Sequence, residues 1–122
     1  MTTGAGNDDL YGIEAVVGSD YAELIYGDSQ ANFHTGGTGN DTLNGMTGDD
    51  LLYGGSGNDT IRQDGGWGQD NLTARGDSGN DNITQNGGLG SDNLRADGGS
   101  GNDRVRMNGG WGNDNLDYTV SS

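Results

Sequence analysis

From Gly36 onward the chain repeats one short phrase: GGTGNDTLN at Gly36, GMTGDDLLY at Gly45, GGSGNDTIRQD at Gly54. Further units start at Gly65, Gly76, Gly87, Gly98 and Gly109, now eleven residues apart instead of nine. Weaker copies precede them: TGAGNDDLY from Thr3, then GSDYAELIY from Gly18 and GDSQANFHT from Gly27, with GIEAVV as an interruption after the first. A tandem unit this short cannot bury an apolar face alone and must stack on its neighbours. Glycine recurs too often for any helix, and it supplies the positive φ values that tight turns need. Each unit therefore opens on a glycine-rich turn ahead of its apolar residue.

Composition decides what such a stack has for a core. Only 28% of the 122 residues are hydrophobic and the net charge is -14, with Asp making up 17 of the 19 acids. Low hydrophobicity with high net charge is the signature of a disordered chain, so a compensating cation is required for folding. The length suits a single domain. With 27 Gly but no Pro, and no strict three-residue period, a collagen helix is excluded. No Lys is present, which argues against a nucleic-acid partner. No Cys is present, which removes disulfides and thiolate metal sites. MTTGAGNDDL shows no cleavable signal peptide, and no apolar stretch approaches the ~20 residues of a membrane span.

The units GGTGNDTLN and GGSGNDTIR resemble the RTX calcium-binding nonapeptide repeat of secreted bacterial proteins, G-G-x-G-x-D-x-U-x with U a large apolar residue. A dinucleotide-binding reading of GSGNDT needs a strand before it and a helix after it, and the EF-hand needs a terminal Glu; both are missing. The resemblance implies an all-β fold, a right-handed parallel β-roll with two short sheets and coils of about 18 and then 22 residues. One roll is expected over residues 1–122, with degenerate coils at 1–35, nonapeptide units at 36–64 and eleven-residue units at 65–122. Strand alternation points Leu10, Ile25, His34, Leu43, Leu52, Ile61, Leu72, Ile83, Leu94, Val105 and Leu116 inward, a thin core. His34 reads as a core residue and not as a metal ligand.

The resemblance further implies that Ca2+ lies between turns one coil apart on the same side, held by one Asp from each turn and by turn carbonyls. On one side these are Asp41, Asp59, Asp81 and Asp103; on the other, Asp50, Asp70, Asp92 and Asp114. The carbonyls are those of Gly36, Thr38 and Gly39; Gly45, Thr47 and Gly48; Gly54, Ser56 and Gly57; Gly65, Trp67 and Gly68. The later turns add Gly76, Ser78 and Gly79; Gly87, Leu89 and Gly90; Gly98, Ser100 and Gly101; Gly109, Trp111 and Gly112. Adjacent Asp pairs give about six sites, and six ions carry about twelve charges against the chain's -14. Glu23 and Asn32 stand where Asp is expected, so calcium is expected to be weak or absent there; Asp8 is a weaker candidate.

Lengthening the unit adds a second inward position: Gln63, Ala74, Gln85, Ala96, Met107 and Tyr118. Gln63 and Gln85, one coil apart, are placed to hydrogen-bond. Ser56, Ser78 and Ser100 line one side of the roll, and Trp67, Leu89 and Trp111 the other, an outward apolar column that suits a contact surface. Asn71, Asn82, Asn93 and Asn115, with Thr42 and Thr60, face outward, where stacked Asn form amide ladders. Arg75 falls beside Asp97, and Arg95 beside Asp117.

No catalytic constellation is present, so an enzyme is not expected. The leading expectation is a secreted, extracellular or cell-surface structural protein that folds on calcium and assembles head-to-tail with itself, because neither end of the repeat array shows a cap and open strand edges invite pairing. The alternative is a calcium-dependent folding and type I secretion module of a larger enzyme, toxin or adhesin. Ice or ligand binding on the Thr and Asn faces is a minor third reading.

Overall fold

A computed structural model describes residues 7–9 and 14–121. These residues form twelve strands and no helix: β1 (Asn7–Asp9), β2 (Ala15–Val17), β3 (Leu24–Tyr26), β4 (Phe33–Thr38), β5 (Thr42–Asn44), β6 (Leu51–Ser56), β7 (Thr60–Trp67), β8 (Asn71–Ser78), β9 (Asn82–Leu89), β10 (Asn93–Ser100), β11 (Arg104–Trp111) and β12 (Asn115–Ser121). Odd strands make one six-stranded parallel sheet and even strands the other. The chain thus winds as a β-solenoid of about five turns, each coil contributing one strand to each sheet.

The inward residues form columns. Ile25, Leu43, Ile61 and Ile83 stack in the odd sheet, and Val16, His34 and Leu52 in the even sheet. All are buried. His34 is fully enclosed, and its ring nitrogens have no partner. Burial disfavours the imidazolium and lowers its pKa, so the ring sits neutral in the core. Val105 is only half-buried and Leu116 is 43% exposed, because β11 and β12 are the outermost strands of their sheets.

Two sequence expectations at the amino-terminal end change. GIEAVV is not merely an interruption: Ala15–Val17 is β2, and Val16 begins the even-sheet column. Asp8, expected in a turn, lies in strand β1 opposite Ile25, the place assigned to Leu10. Leu10 and the Asp8 side chain lie outside the described residues.

The step from nine to eleven residues is asymmetric. In the odd sheet Leu43 still pairs with Ile61, so the extra residues follow the old column and Gln63 opens a new one. In the even sheet Leu52 pairs with Ala74 and not with Leu72, so the extra residues precede the old column. Gln63 and Ala74 therefore do not both belong to the added layer: Ala74 and Ala96 join the cluster of Ile61 and Ile83, while Leu72 and Leu94 start the new even-sheet column. The reason is geometric. The strands of the two sheets meet at each turn, so widening the roll on one side lengthens odd strands at their ends and even strands at their starts.

The new layer is polar and satisfied along most of its length. Gln85 Nε2 donates to Gln63 Oε1 (2.7 Å) and to Arg95 O (2.9 Å), while Gln63 Nε2 donates to Asp50 O and Thr73 O, both at 3.0 Å. Outside, Asn115 Nδ2 donates to Asn93 Oδ1 at 2.9 Å, and Asn93 Nδ2 to Asn71 Oδ1 at 3.5 Å, the expected amide ladder. Arg75 pairs with Asp97 at 3.7 Å, whereas Arg95 shares its register with Asp117 without closing a salt bridge.

Candidate metal sites in the turns

The turns form two walls. Turns opening at Gly18, Gly36, Gly54, Gly76 and Gly98 lead from the even to the odd sheet and carry the serines. Turns opening at Gly27, Gly45, Gly65, Gly87 and Gly109 lead back and carry Trp67, Leu89 and Trp111. Glycine is required where coils touch. At Gly57, with φ 133°, an added Cβ would run into Gly39 O of the coil before; Gly79 meets Gly57 O in the same way.

Each turn's aspartate reaches its neighbour in the previous coil. On the serine wall Glu23 N–H donates to Asp41 Oδ1, Asp41 N–H to Asp59 Oδ1 and Asp59 N–H to Asp81 Oδ1, each at 2.8 Å, and Asp81 N–H to Asp103 Oδ1 at 3.0 Å. On the tryptophan wall Asn32 N–H donates to Asp50 Oδ1, Asp70 N–H to Asp92 Oδ1 and Asp92 N–H to Asp114 Oδ1, each at 3.0 Å. The ladder skips the Asp50–Asp70 pair. That pair, expected to form a site like the others, is displaced by the two-residue slide between β6 and β8.

These bonds use one carboxylate oxygen. The other, Oδ2, is buried without any protein partner in Asp41, Asp50, Asp59, Asp70, Asp81, Asp92 and Asp103. It turns toward the first glycine of its own turn, and the carbonyl of the next coil's first glycine often comes to the same place. A Cβ added at Gly65 would stand 2.7 Å from Asp70 Oδ2 and 2.5 Å from Gly87 O; at Gly87, Asp92 Oδ2 and Gly109 O are both 2.5 Å away. Gly36 faces Asp41 Oδ2 and Gly54 O, and Gly76 faces Asp81 Oδ2 and Gly98 O. A side chain would fill this cradle of oxygens, which explains why the position is glycine although its φ is unremarkable.

An unpaired buried carboxylate is costly. Desolvation raises the pKa of Asp41 and Asp59 to about 6 and of Asp50 to about 7, and also raises those of Asp70 and Asp81. Neighbouring carboxylates add to the effect: Asp41 and Asp81 on Asp59, Asp92 and Asp49 on Asp70. The described residues hold no cluster of three or more His, Cys, Asp or Glu. The donor set is therefore one carboxylate from each of two turns plus carbonyls. Oxygen-only donors suit a hard cation such as calcium, and the residues present fit it. Of the expected carbonyls, those of Ser56, Ser78, Ser100, Leu89 and Trp111 already accept a glycine N–H from the coil before, which leaves their second lone pair for a cation.

Glu23 and Asn32 are satisfied by protein instead. Ser19 N–H donates to Glu23 Oε2 at 3.1 Å and its hydroxyl to Oε1, while Asp28 N–H donates to Asn32 Oδ1 at 2.9 Å. A second ladder was missed at the sequence level: Asn58, Asn80 and Asn102 each donate a backbone N–H to the side-chain oxygen of Asn40, Asn58 and Asn80 in turn, at 2.8–2.9 Å. Its signal is Asn immediately before every aspartate of the glycine turns on the serine wall.

Stacked glycine turns converge buried, unpartnered oxygens along a parallel β-roll, an arrangement that suits a cation. Residues 26–61 and 35–72 match the family model of the RTX calcium-binding nonapeptide repeat (4 copies). Over those residues the chain is similar to RTX calcium-binding repeats, and the eleven-residue coils beyond them continue the same roll. No curated protein and no solved structure shows a significant match to the chain. No described helix is long and apolar enough to cross a membrane.

Proposed function

We propose that this chain is a secreted protein module that folds by binding calcium, and that its calcium-loaded roll associates end to end with further copies as an extracellular structural subunit. The observation that carries the calcium reading is the row of buried Oδ2 atoms without partners. Asp41/Asp59, Asp59/Asp81 and Asp81/Asp103 form three inter-turn sites on the serine wall. Asp70/Asp92 and Asp92/Asp114 form two on the other. Turn carbonyls complete each shell. Without cations these carboxylates oppose the roll; with them, binding and folding become one event. Extracellular calcium modules bind in the ~10⁻⁴–10⁻³ M range, so such a chain stays unfolded in a calcium-poor compartment and folds after export.

The association reading is supported by strand β12, which lies at the sheet edge and exposes Leu116, Tyr118 and Val120. An edge of this kind templates a further strand. Trp67 and Trp111, 87% and 80% exposed, offer a lateral contact. The alternative, a folding and secretion module of a larger protein, rests on the same calcium chemistry and covers the edge with its own neighbouring chain. Sedimentation velocity in millimolar calcium separates them. Elongated species that grow with protein concentration support end-to-end association; a compact monomer at every concentration contradicts it and leaves the module reading.

A further inference from the structure

The tryptophan wall contains a place unlike any other turn. Between the turn at Gly45 and the turn at Gly65 the register slides by two residues. Gly48 N–H donates to Gly65 O, whereas in later coils Gly68 N–H reaches Leu89 O and Gly90 N–H reaches Trp111 O. Asn71 N–H, not that of Gln69, donates to Asp49 Oδ1 at 2.8 Å. The turn at Gly65 therefore overhangs the one before it. A Cβ added at Gly68 meets nothing within 4 Å, while at the corresponding Gly57, Gly79 and Gly90 it meets a carbonyl. Beside the overhang lies a hollow of about 400 Å³ lined by Ser29, Thr47, Gly48, Gly65, Trp67 and Asp70.

The hollow is negative and uncompensated. Asp70 lines it and is 8% exposed; its Oδ2 faces the Gly65 cradle, while its Oδ1 accepts no N–H from Asp50, as it would at the other ladder pairs. Asp50, at the same junction, is 2% exposed, with an unpartnered Oδ2 that faces Gly45. Asp49 adds a third charge. It is the acid in a position that the other glycine turns fill with Asn40, Asn58, Asn80, Asn102, Gln69, Ser91 or Asn113. The salt bridges of the described residues join Arg62 and Arg75 to Asp64, Asp77 and Asp97, so none reaches this group. A two-residue slide displaces one turn from the other by about 6.6 Å along the strand. One calcium with oxygens at about 2.3–2.6 Å cannot then be shared by Asp50 and Asp70 as it is between regular turns.

We propose that this junction is a cation site of a different build: a hydrated divalent ion, calcium by its all-oxygen surroundings, bound in the hollow through Asp70 and water and drawn there by the added charge of Asp49 and Asp50. It rests on the calcium reading above and adds a site that the regular repeat does not provide. The ion clamps the nine-residue coils to the eleven-residue coils where the Asp ladder is interrupted.

The test is a count of bound calcium by equilibrium dialysis on the full chain and on Asp49→Asn. Asn retains the oxygen that accepts the Asn71 N–H, as Asn40 does for Asn58, so the roll is kept. The expected result is one calcium fewer per chain in the variant, lost from the weak end of the isotherm, with an unchanged calcium-loaded far-UV circular dichroism spectrum. Thr47→Lys, which puts an ammonium group in the hollow, is expected to remove the same ion. Equal counts and affinities in all three proteins would overturn the junction site and leave the inter-turn sites standing. Failure of the unaltered chain to bind any calcium would overturn the proposed function itself.

Discussion

The turn at Gly18 and the turn at Gly36 stack directly on one another, yet they are held by different means. In the first, Glu23 is ligated by its own turn, through the Ser19 N–H and hydroxyl. In the second, Asp41 gives one oxygen to the Glu23 N–H and leaves the other buried and bare. The strands that enter the two turns pair in parallel with each other, and so do the strands that leave them. The contrast shows what the glycines do. Ser19 supplies a hydroxyl that serves the carboxylate, and Gly37 in the same place of the next turn supplies none; the oxygen-lined space is common to both turns, Gly18 facing Glu23 Oε2 and Gly36 O as Gly36 faces Asp41 Oδ2 and Gly54 O. The first turn is completed by protein; the second keeps a bare oxygen, which the proposed function assigns to a cation.

The largest expected effect comes from deleting a bare carboxylate in the middle of the serine wall. Asp59→Ala removes the acceptor for the Asp41 N–H and, on the proposed function, a ligand of two adjacent sites. A hydrogen bond to a charged group is worth about 1.5–3 kcal/mol. The calcium midpoint for folding should therefore rise by about tenfold or more, the equivalent of at least ~1.4 kcal/mol. Glu23→Gln should leave the calcium midpoint within about twofold and lower thermal stability by only about 1 kcal/mol. Calcium titrations followed by circular dichroism compare the two; equal shifts would erase the distinction between protein-completed and cation-completed turns.

Glycine substitutions sharpen the same contrast. Gly76→Ala places a methyl between Asp81 Oδ2 and Gly98 O, and should abolish calcium binding at that turn. Gly68→Ala meets no neighbour, although its φ of 123° strains an alanine. Its cost should be about 1–2 kcal/mol in thermal stability with the number of bound ions unchanged. Dialysis counts on both variants test this.

Proton binding gives a smaller, graded effect. Burial pushes the carboxyls of Asp41 and Asp59 up to about 6 and that of Asp50 up to about 7 in the metal-free roll, above the usual carboxylate value of 3.8. Raised folded-state values mean that folding takes up protons. In chelator, the roll is therefore most favoured near and below pH 4 and loses that support as pH rises to about 7. In calcium the trend reverses, because protons compete for the ligands: the calcium midpoint should rise as pH falls below about 7. Matched titrations at pH 5 and 7.5 check both signs, and a pH-independent midpoint would contradict them.

The smallest effect is expected at the surface. Trp111→Ala should leave calcium binding and thermal stability within about 0.5 kcal/mol of the parent, and alter only contacts between chains, read by light scattering.

The repeat made much of this legible. Glycine and aspartate at fixed spacing located the turns, and the single apolar residue of each unit located the core. Two features stayed hidden for physical reasons. Aligning units on their glycines aligns Leu52 with Leu72, whereas the sheet pairs Leu52 with Ala74. A one-dimensional alignment gives both sheets the same phase, while a roll widened on one wall adds residues to opposite ends of their strands. The second feature is β2: its segment, GIEAVV, carries no glycine pair to announce a coil, and only Val16 in the column below His34 reveals it. The overhang at Gly65, and with it the interrupted Asp50–Asp70 pair, follows from the first of these.

The most direct test of calcium-coupled folding is far-UV circular dichroism of the metal-free chain at pH 7.5, titrated with calcium and, separately, with magnesium. Magnesium demands near-ideal octahedral geometry and sheds water reluctantly. The account predicts a disordered spectrum in chelator that converts to β structure with calcium and hardly changes with magnesium at the same concentration. A full β spectrum in chelator, unaltered by calcium, would contradict it.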